Sequence, residues 1–196
     1  VGATGSPGGG SPPDNPIVVV DGDTVWNFWR FVRTSNTAAT AGAYGKSSVT
    51  VGTGFGASGV GAGITGAGSS QLGGLLVQAQ TDTGTITHAL ALAVASQLLL
   101  PGHIAPAIGG DGSSSTGIVE EGQLLAIPAN TVMPSGLSVL GQEVFRALQQ
   151  YGAYVIDNAG SQTTVLRAQF NAYNATIMGA LNTDMIKIIP LLRKVS

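Results

Sequence analysis

The sequence predicts a mainly β fold, an antiparallel β-sandwich with one packed α-helix. Three observations lead there. Between Ile86 and Val94, large residues (Ile86, His88, Leu90, Leu92, Val94) alternate with small ones (Thr87, Ala89, Ala91, Ala93). That period of two marks a strand buried on both faces, with a deep core on one side and a close backbone approach on the other. Glycine is dense, 30 of 196 residues, which disfavours helix on entropy grounds. Only one stretch, Ser138 to Tyr151, carries a clear helical period, with Leu140, Val144, Leu148 and Tyr151 on one face.

Taken in order, residues 1–13 (VGATGSPGGGSPP) read as a Gly/Pro-rich linker or the end of a collagen-like stem, with Gly2, Gly5 and Gly8 in triplet spacing. The chain opens on Val1 rather than Met, as expected of a processed or excised segment. Residues 14–196 form the expected single β-sandwich domain. Asn15–Val20 and Thr24–Arg33 are predicted strands about the turn Asp21-Gly22-Asp23. The second of these carries Trp26, Phe28, Trp29 and Phe31, so aromatics fall on both its faces. Thr34–Gly74 is irregular, with a short β-segment expected at Ser47–Val51. Gly74–Gln80 and Thr85–Val94 are predicted strands joined by the turn Thr81–Gly84. A loop at Pro101–Thr116 and a short strand at Leu124–Ile127 follow. Ser138 is placed to cap the helix and Gly152 to end it. Beyond it come strands at Ala153–Ile156 and Thr164–Phe170, a short second helix at Asn171–Leu181, and an extended segment at Met185–Val195.

Charged residues make up only 9% of the chain against about a quarter in ordinary domains. Eight Lys and Arg are scattered without a cluster, so no nucleic-acid footprint is present. At 43% hydrophobic the chain should fold. It has no cysteine, which excludes disulfides and thiolate metal sites. Its longest apolar run, Ala89–Leu100, is too short to span a bilayer. Sparse charge with abundant Gly, Ser and Thr is common in virion and cell-surface proteins.

The candidate sites are few. His88 and His103, with Asp111, are weak candidates for an acid/base pair or a metal site, although His88 in a strand row also reads as structural and Asp111 in GGDG as a turn residue. Asp21 and Asp23 are weak metal candidates, for Ca²⁺ if for any ion. No cofactor is otherwise implied. Trp26, Trp29 and Tyr44, with Tyr154, offer flat apolar faces that match a sugar ring, beside a plain core-packing role. The remaining acids, Asp82, Glu120, Glu121, Glu143, Asp157 and Asp184, show no pair set apart as a glycosidase dyad, and Glu120/Glu121 read as a loop. Two G-x-G-x-x-G matches, at Gly54 and Gly61, have no following helix and do not read as nucleotide loops. No G-x-S-x-G elbow occurs. Asn174-Ala175-Thr176 is a formal glycosylation sequon.

DGDTVWNFW (21–29), G-x-ITHALAL (84–92), APA with a following DG (105–112), EGQLLAIP (121–128) and ALQQYGAYVID (147–157) stand in this order along residues 14–196. Together they resemble an uncharacterised jelly-roll-like domain family of phage appendage (fibre or spike) proteins and secreted bacterial proteins. The resemblance implies a sandwich that accompanies carbohydrate-directed modules. The chain departs from it in the glycine density of 52–74 and in His103-Ile104-Ala105, which stands where an aromatic precedes the proline. The expectation is a non-enzymatic virion or cell-surface domain, a phage fibre or spike tip or decoration. It would be extracellular or on the virion, homo-oligomeric (trimeric) or bound to other appendage subunits, and in contact with a surface glycan, without nucleic acid or membrane insertion. The alternatives are a secreted carbohydrate-active or carbohydrate-binding domain and a capsid or filament subunit.

Overall fold

The structure, a computed structural model, describes residues 14–56, 63–160 and 163–195. The expected stem at 1–13 lies outside the described residues, as does 57–62 of the Gly-rich stretch. What it shows is a strand-rich fold with several sheets and, among the described residues, three α-helices.

The first sheet is local. β1 (Ile17–Asp21) and β2 (Thr24–Trp29) form an antiparallel hairpin in which Asp21 faces Thr24. Gly22 supplies the positive φ of +56° that so tight a turn needs. β2 then pairs along its whole length with β5 (Ala43–Ser48), giving the order β1-β2-β5. Arg30, at φ +51°, breaks the extended run, and the short pair β3 (Val32–Arg33) and β4 (Ala39–Thr40) continues beyond it.

The second sheet holds the core. Its strands are β6 (Leu90–Val94), β9 (Leu124–Ala126), β10 (Ala153–Asn158), β11 (Val165–Leu166) and β12 (Arg193–Lys194), in the order β11-β6-β10-β9-β12. Every residue of β6 is buried. Leu90, Leu92 and Val94 belong to a large apolar cluster with Val144, Phe145, Leu148, Leu181 and Ile188. Ala91 faces the other way, in a small cluster with Ala67, Ala107 and Ile156. The alternation of large and small side chains therefore has the expected outcome: helices cover one face, and backbone lies close against the other. At Gly74 (φ +73°) an added Cβ would lie 2.5 Å from the Ala91 nitrogen, closer than any side chain allows.

Several expectations are corrected. The sheets are not wholly antiparallel: β6 pairs in parallel with β10, and β7 (Leu99–His103) in parallel with β8 (Val119–Glu121). The physical reason for the first is the crossover. The helix α2 (Val139–Gln150) returns the chain to start β10 beside the start of β6, with Gly152 (φ +74°) making the turn. Nor is there only one packed helix. α3 (Ala175–Ile188) buries Leu181, Met185 and Ile188 in the same apolar cluster. It runs through Met185–Ile188, where an extended segment was expected, and Pro190 then limits it. Gly74–Gln80 is likewise not a strand. It contributes an isolated bridge, Leu76 to Ala168, and leads into a single turn, α1 (Gln78–Thr81). The predicted strand at Ser47–Val51 is displaced to Ala43–Ser48, and the strand begins at Leu90 rather than Thr85. Part of the loop expected at Pro101–Thr116 is β7.

The two long helices are joined at their ends by one buried carboxylate. The Ser138 hydroxyl accepts from the Gly141 N–H (3.1 Å), the expected cap of α2. That hydroxyl in turn donates to Asp184 Oδ2 of α3 (2.6 Å), and the Ser138 N–H donates to the same oxygen (3.0 Å). Asp184 is 3% exposed, so its carboxyl sits inside the fold against the positive end of α2. Asp184→Ala is expected to destabilise the protein by about 2 kcal/mol, since it leaves the half-buried Ser138 N–H and hydroxyl without their acceptor. Urea unfolding followed by circular dichroism checks this.

Candidate functional site

The β1-β2-β5 sheet sorts its side chains by parity. Val25, Asn27 and Gly45 face inward and are buried. Asn27 is 0% exposed, and its Oδ1 accepts from Ser70 Oγ (3.1 Å) and the Gln71 N–H (2.8 Å), which ties this sheet to the 69–72 segment. The opposite face then carries the registers Val19–Trp26–Lys46 and Ile17–Phe28–Tyr44. Trp26 and Phe28 are half-buried, Val19 is 47% exposed and Tyr44 68%. The Lys46 ammonium stands 5.6 Å from the Trp26 ring centroid, within cation–π range. Phe31 extends the row, its ring 5.6 Å from that of Phe28. Trp26 and Tyr44 are thus brought together on one solvent-facing row. Trp29 is not among them: it points the other way, its Nε1–H donates to Asp14 Oδ1 (3.1 Å), and the Arg30 guanidinium lies 4.0 Å from its ring. Tyr154 packs edge-on against Phe55 at 5.8 Å, beside the small-residue cluster.

Asp21 and Asp23 flank the hairpin turn. Asp23 accepts from Ser48 Oγ, Thr50 Oγ1 and the Thr50 N–H. The hydrogen bonds from Ser48 and then Thr50 hold its carboxyl below the usual range, and they account for it as a turn anchor. His88 is half-buried just before β6, its Nδ1 3.0 Å from the Ala89 carbonyl oxygen. His103 is exposed on β7, with its Cα opposite that of Glu121. His88 and Asp111 are not brought together: Asp111 lies beside Asp157, which pairs at the far end of β6 with Ala93.

Asp111 instead meets two acids whose partnership was not visible beforehand. Asp111, Glu121 and Asp157 each offer a carboxylate oxygen, all within 4.8 Å of one another. Glu121 does not lie in a loop. It ends β8 and is 0% exposed. Its Oε2 accepts from the Asp111 N–H at 3.2 Å, while Oε1 is buried with no hydrogen-bond partner among the described residues. Burial, followed by the neighbouring Asp111 and then the charge of Asp157, pushes the Glu121 carboxyl up to about 8. Asp157 accepts from the Gly66 N–H (3.2 Å) and pairs with Arg167, which also donates to Gln71. Burial raises the Asp157 carboxyl, and the Arg167 charge works against that rise.

A third feature is an open cleft of about 320 Å³ between α1, α2 and α3, lined in part by Thr81, Asp82, Glu143, Tyr173 and Ile177. Tyr173 Oη and Thr81 Oγ1 are hydrogen-bonded at 3.0 Å. Glu143 is 4% exposed, and its Oε2 has no partner among the described residues.

Compared with protein-family models, curated proteins and solved structures, the chain finds no match. No described helix is long and apolar enough to cross a membrane.

Burial raises the Glu143 carboxyl above its ordinary value of 4.5, against the lowering effect of Arg146. A folded state that holds this proton is most stable below that value. It loses stability as pH rises, because the unfolded chain ionises first. Glu143→Gln is therefore expected to gain stability over the parent as pH rises from about 4 towards 8. Urea midpoints of the two proteins across that range check it.

Proposed function

We propose that this chain is a non-enzymatic contact domain of a virion or cell-surface appendage, of the fibre- or spike-tip kind, whose three-stranded sheet meets the sugar rings of a host envelope. One observation carries the reading: Trp26, Phe28 and Tyr44 stand in a row on a solvent-facing sheet surface, with Lys46 beside the tryptophan. Flat apolar rings stack on the C–H face of a pyranose, and an adjoining ammonium offers hydrogen bonds to hydroxyls or an anionic substituent. A rigid sheet holds this geometry before the ligand arrives, so little ordering entropy is lost on contact.

Supporting features come from the whole chain. Charge is sparse, 9% of residues, which suits a surface that works by stacking and hydroxyl contacts rather than by electrostatic steering. The resemblance carried by residues 21–29, 84–92, 105–112, 121–128 and 147–157 leads to the same setting, and the jelly-roll-like form belongs to this proposal through that resemblance alone. A single aromatic row binds one or two sugars weakly. Three copies on a trimeric stem would multiply that affinity through effective concentration.

The full chain, probed on a glycan array and on whole cells, is expected to bind a defined set of glycans. Trp26→Ala and Tyr44→Ala should each weaken that binding about tenfold. Tyr44 is exposed, so its replacement leaves the fold intact. Light scattering should return a trimer. A monomer that binds no glycan and no cells sinks the reading, as does binding that survives both substitutions together. Turnover of a polysaccharide panel would move the protein to the carbohydrate-active class.

A further inference from the structure

We propose that Asp111, Glu121 and Asp157 form a Ca²⁺ site that joins three separate parts of the fold. The three side chains come from the loop after β7, the end of β8 and β10. Their oxygens lie within 4.8 Å of one another, which is the span of two ligands on opposite sides of a Ca²⁺ ion at about 2.4 Å each.

The second observation is independent of that clustering. Glu121 is 0% exposed, and its Oε1 is buried without a hydrogen-bond partner among the described residues, a condition that folded proteins rarely leave uncompensated. The oxygen is aimed into the cluster: a Cβ on Gly66 would lie 2.4 Å from Glu121 Oε1 and 2.8 Å from Asp111 Oδ1. Two carboxylate oxygens, one from a loop and one from β8, thus converge beside a residue that has no side chain to separate them. The Gly66 N–H, held on Asp157 Oδ1, fixes that backbone in place.

Charge points the same way. Three carboxylates face one cation, Arg167, which is held on Asp157 Oδ2 and on Gln71. A divalent ion that displaces the Glu121 proton and binds all three acids in their ionised forms leaves the cluster neutral with Arg167. The donors are all hard oxygens with no imidazole or thiolate among them, which selects Ca²⁺ or Mg²⁺ over zinc or copper. Asp111 is exposed, so an ion can enter from solvent and keep water in its outer positions. Ca²⁺ tolerates such an irregular, partly hydrated shell; Mg²⁺ demands a tighter octahedron. The site does not depend on the glycan reading, since its three acids and the aromatic row belong to different elements.

The test uses the full chain, stripped with chelator and titrated with CaCl₂ by calorimetry, with thermal unfolding alongside. One ion per chain is expected, with a rise in Tm that MgCl₂ does not reproduce. Glu121→Gln keeps the shape and removes a ligand charge. It should stay folded by circular dichroism and lose about 100-fold or more in Ca²⁺ affinity. Asp111→Asn, at an exposed position, provides a second variant with the same expected loss. Asp23→Asn, in the hairpin turn, should bind as the parent does. No heat and no Tm shift at about 10 mM CaCl₂ overturns the proposal. So does unchanged affinity in both cluster variants, and a stronger response to MgCl₂ overturns the choice of ion.

Discussion

The whole arrangement depends on β6 being buried on both faces. A strand in that position cannot be half-polar, and Leu90–Val94 is not. Its large residues demand a thick apolar layer, which α2 and α3 supply through Val144, Leu148, Leu181 and Ile188. Ala91 allows the reverse, a close backbone approach, with Gly74 against it and Ala67, Ala107 and Ile156 in the same small cluster. The parallel β6–β10 pair follows from the same need, because parallel strands are stable chiefly where both faces are covered. Each layer is thus chosen by the residues of one five-residue strand.

With so few charges in the chain, the polar groups that do enter the interior act as joints. Asn27 ties the hairpin sheet to the Gly-rich segment. Asp184 ties α3 to the start of α2. Asp157 ties β10 to Gly66 on one side and to Arg167 on the other. Each joins parts distant in sequence, and each would be costly to bury without its partner. Glu121 and Glu143 differ in kind: each is a buried acid that keeps an oxygen without a partner among the described residues.

Local signals were legible and distant ones were not. The hairpin about Gly22 and the cap at Ser138 are set by a few adjacent residues, so their chemistry shows in the string itself. The alternation in β6 shows for the same reason. The length of α3 did not, because its last turns are held by burial of Met185 and Ile188 against other elements rather than by an evident helical period. Parallel pairing was hidden because it depends on where α2 returns the chain. The aromatic row was half-legible: Trp26 and Tyr44 could be named, but their union needed the β2–β5 register, which also sends Trp29 to the other face. Glu121 looked like a turn acid beside Gly122. Only the pairing of β7 with β8 and the neighbouring β10 draw it to Asp111 and Asp157.

β10 carries one residue more than its partner. Val155 pairs with Leu92 and Asp157 with the next position, Ala93, so Ile156 is a bulge and the pleat skips a beat. Ile156 and Asp157 consequently both address the 66–67 backbone, one through its carbonyl and one through its carboxylate. A homologous chain shortened by a single residue here would restore regular pleating and turn the acid away from Gly66. Length, as well as composition, is therefore under constraint in this strand. Among related sequences an indel at 156 should be tolerated far less readily than one in the exposed connections.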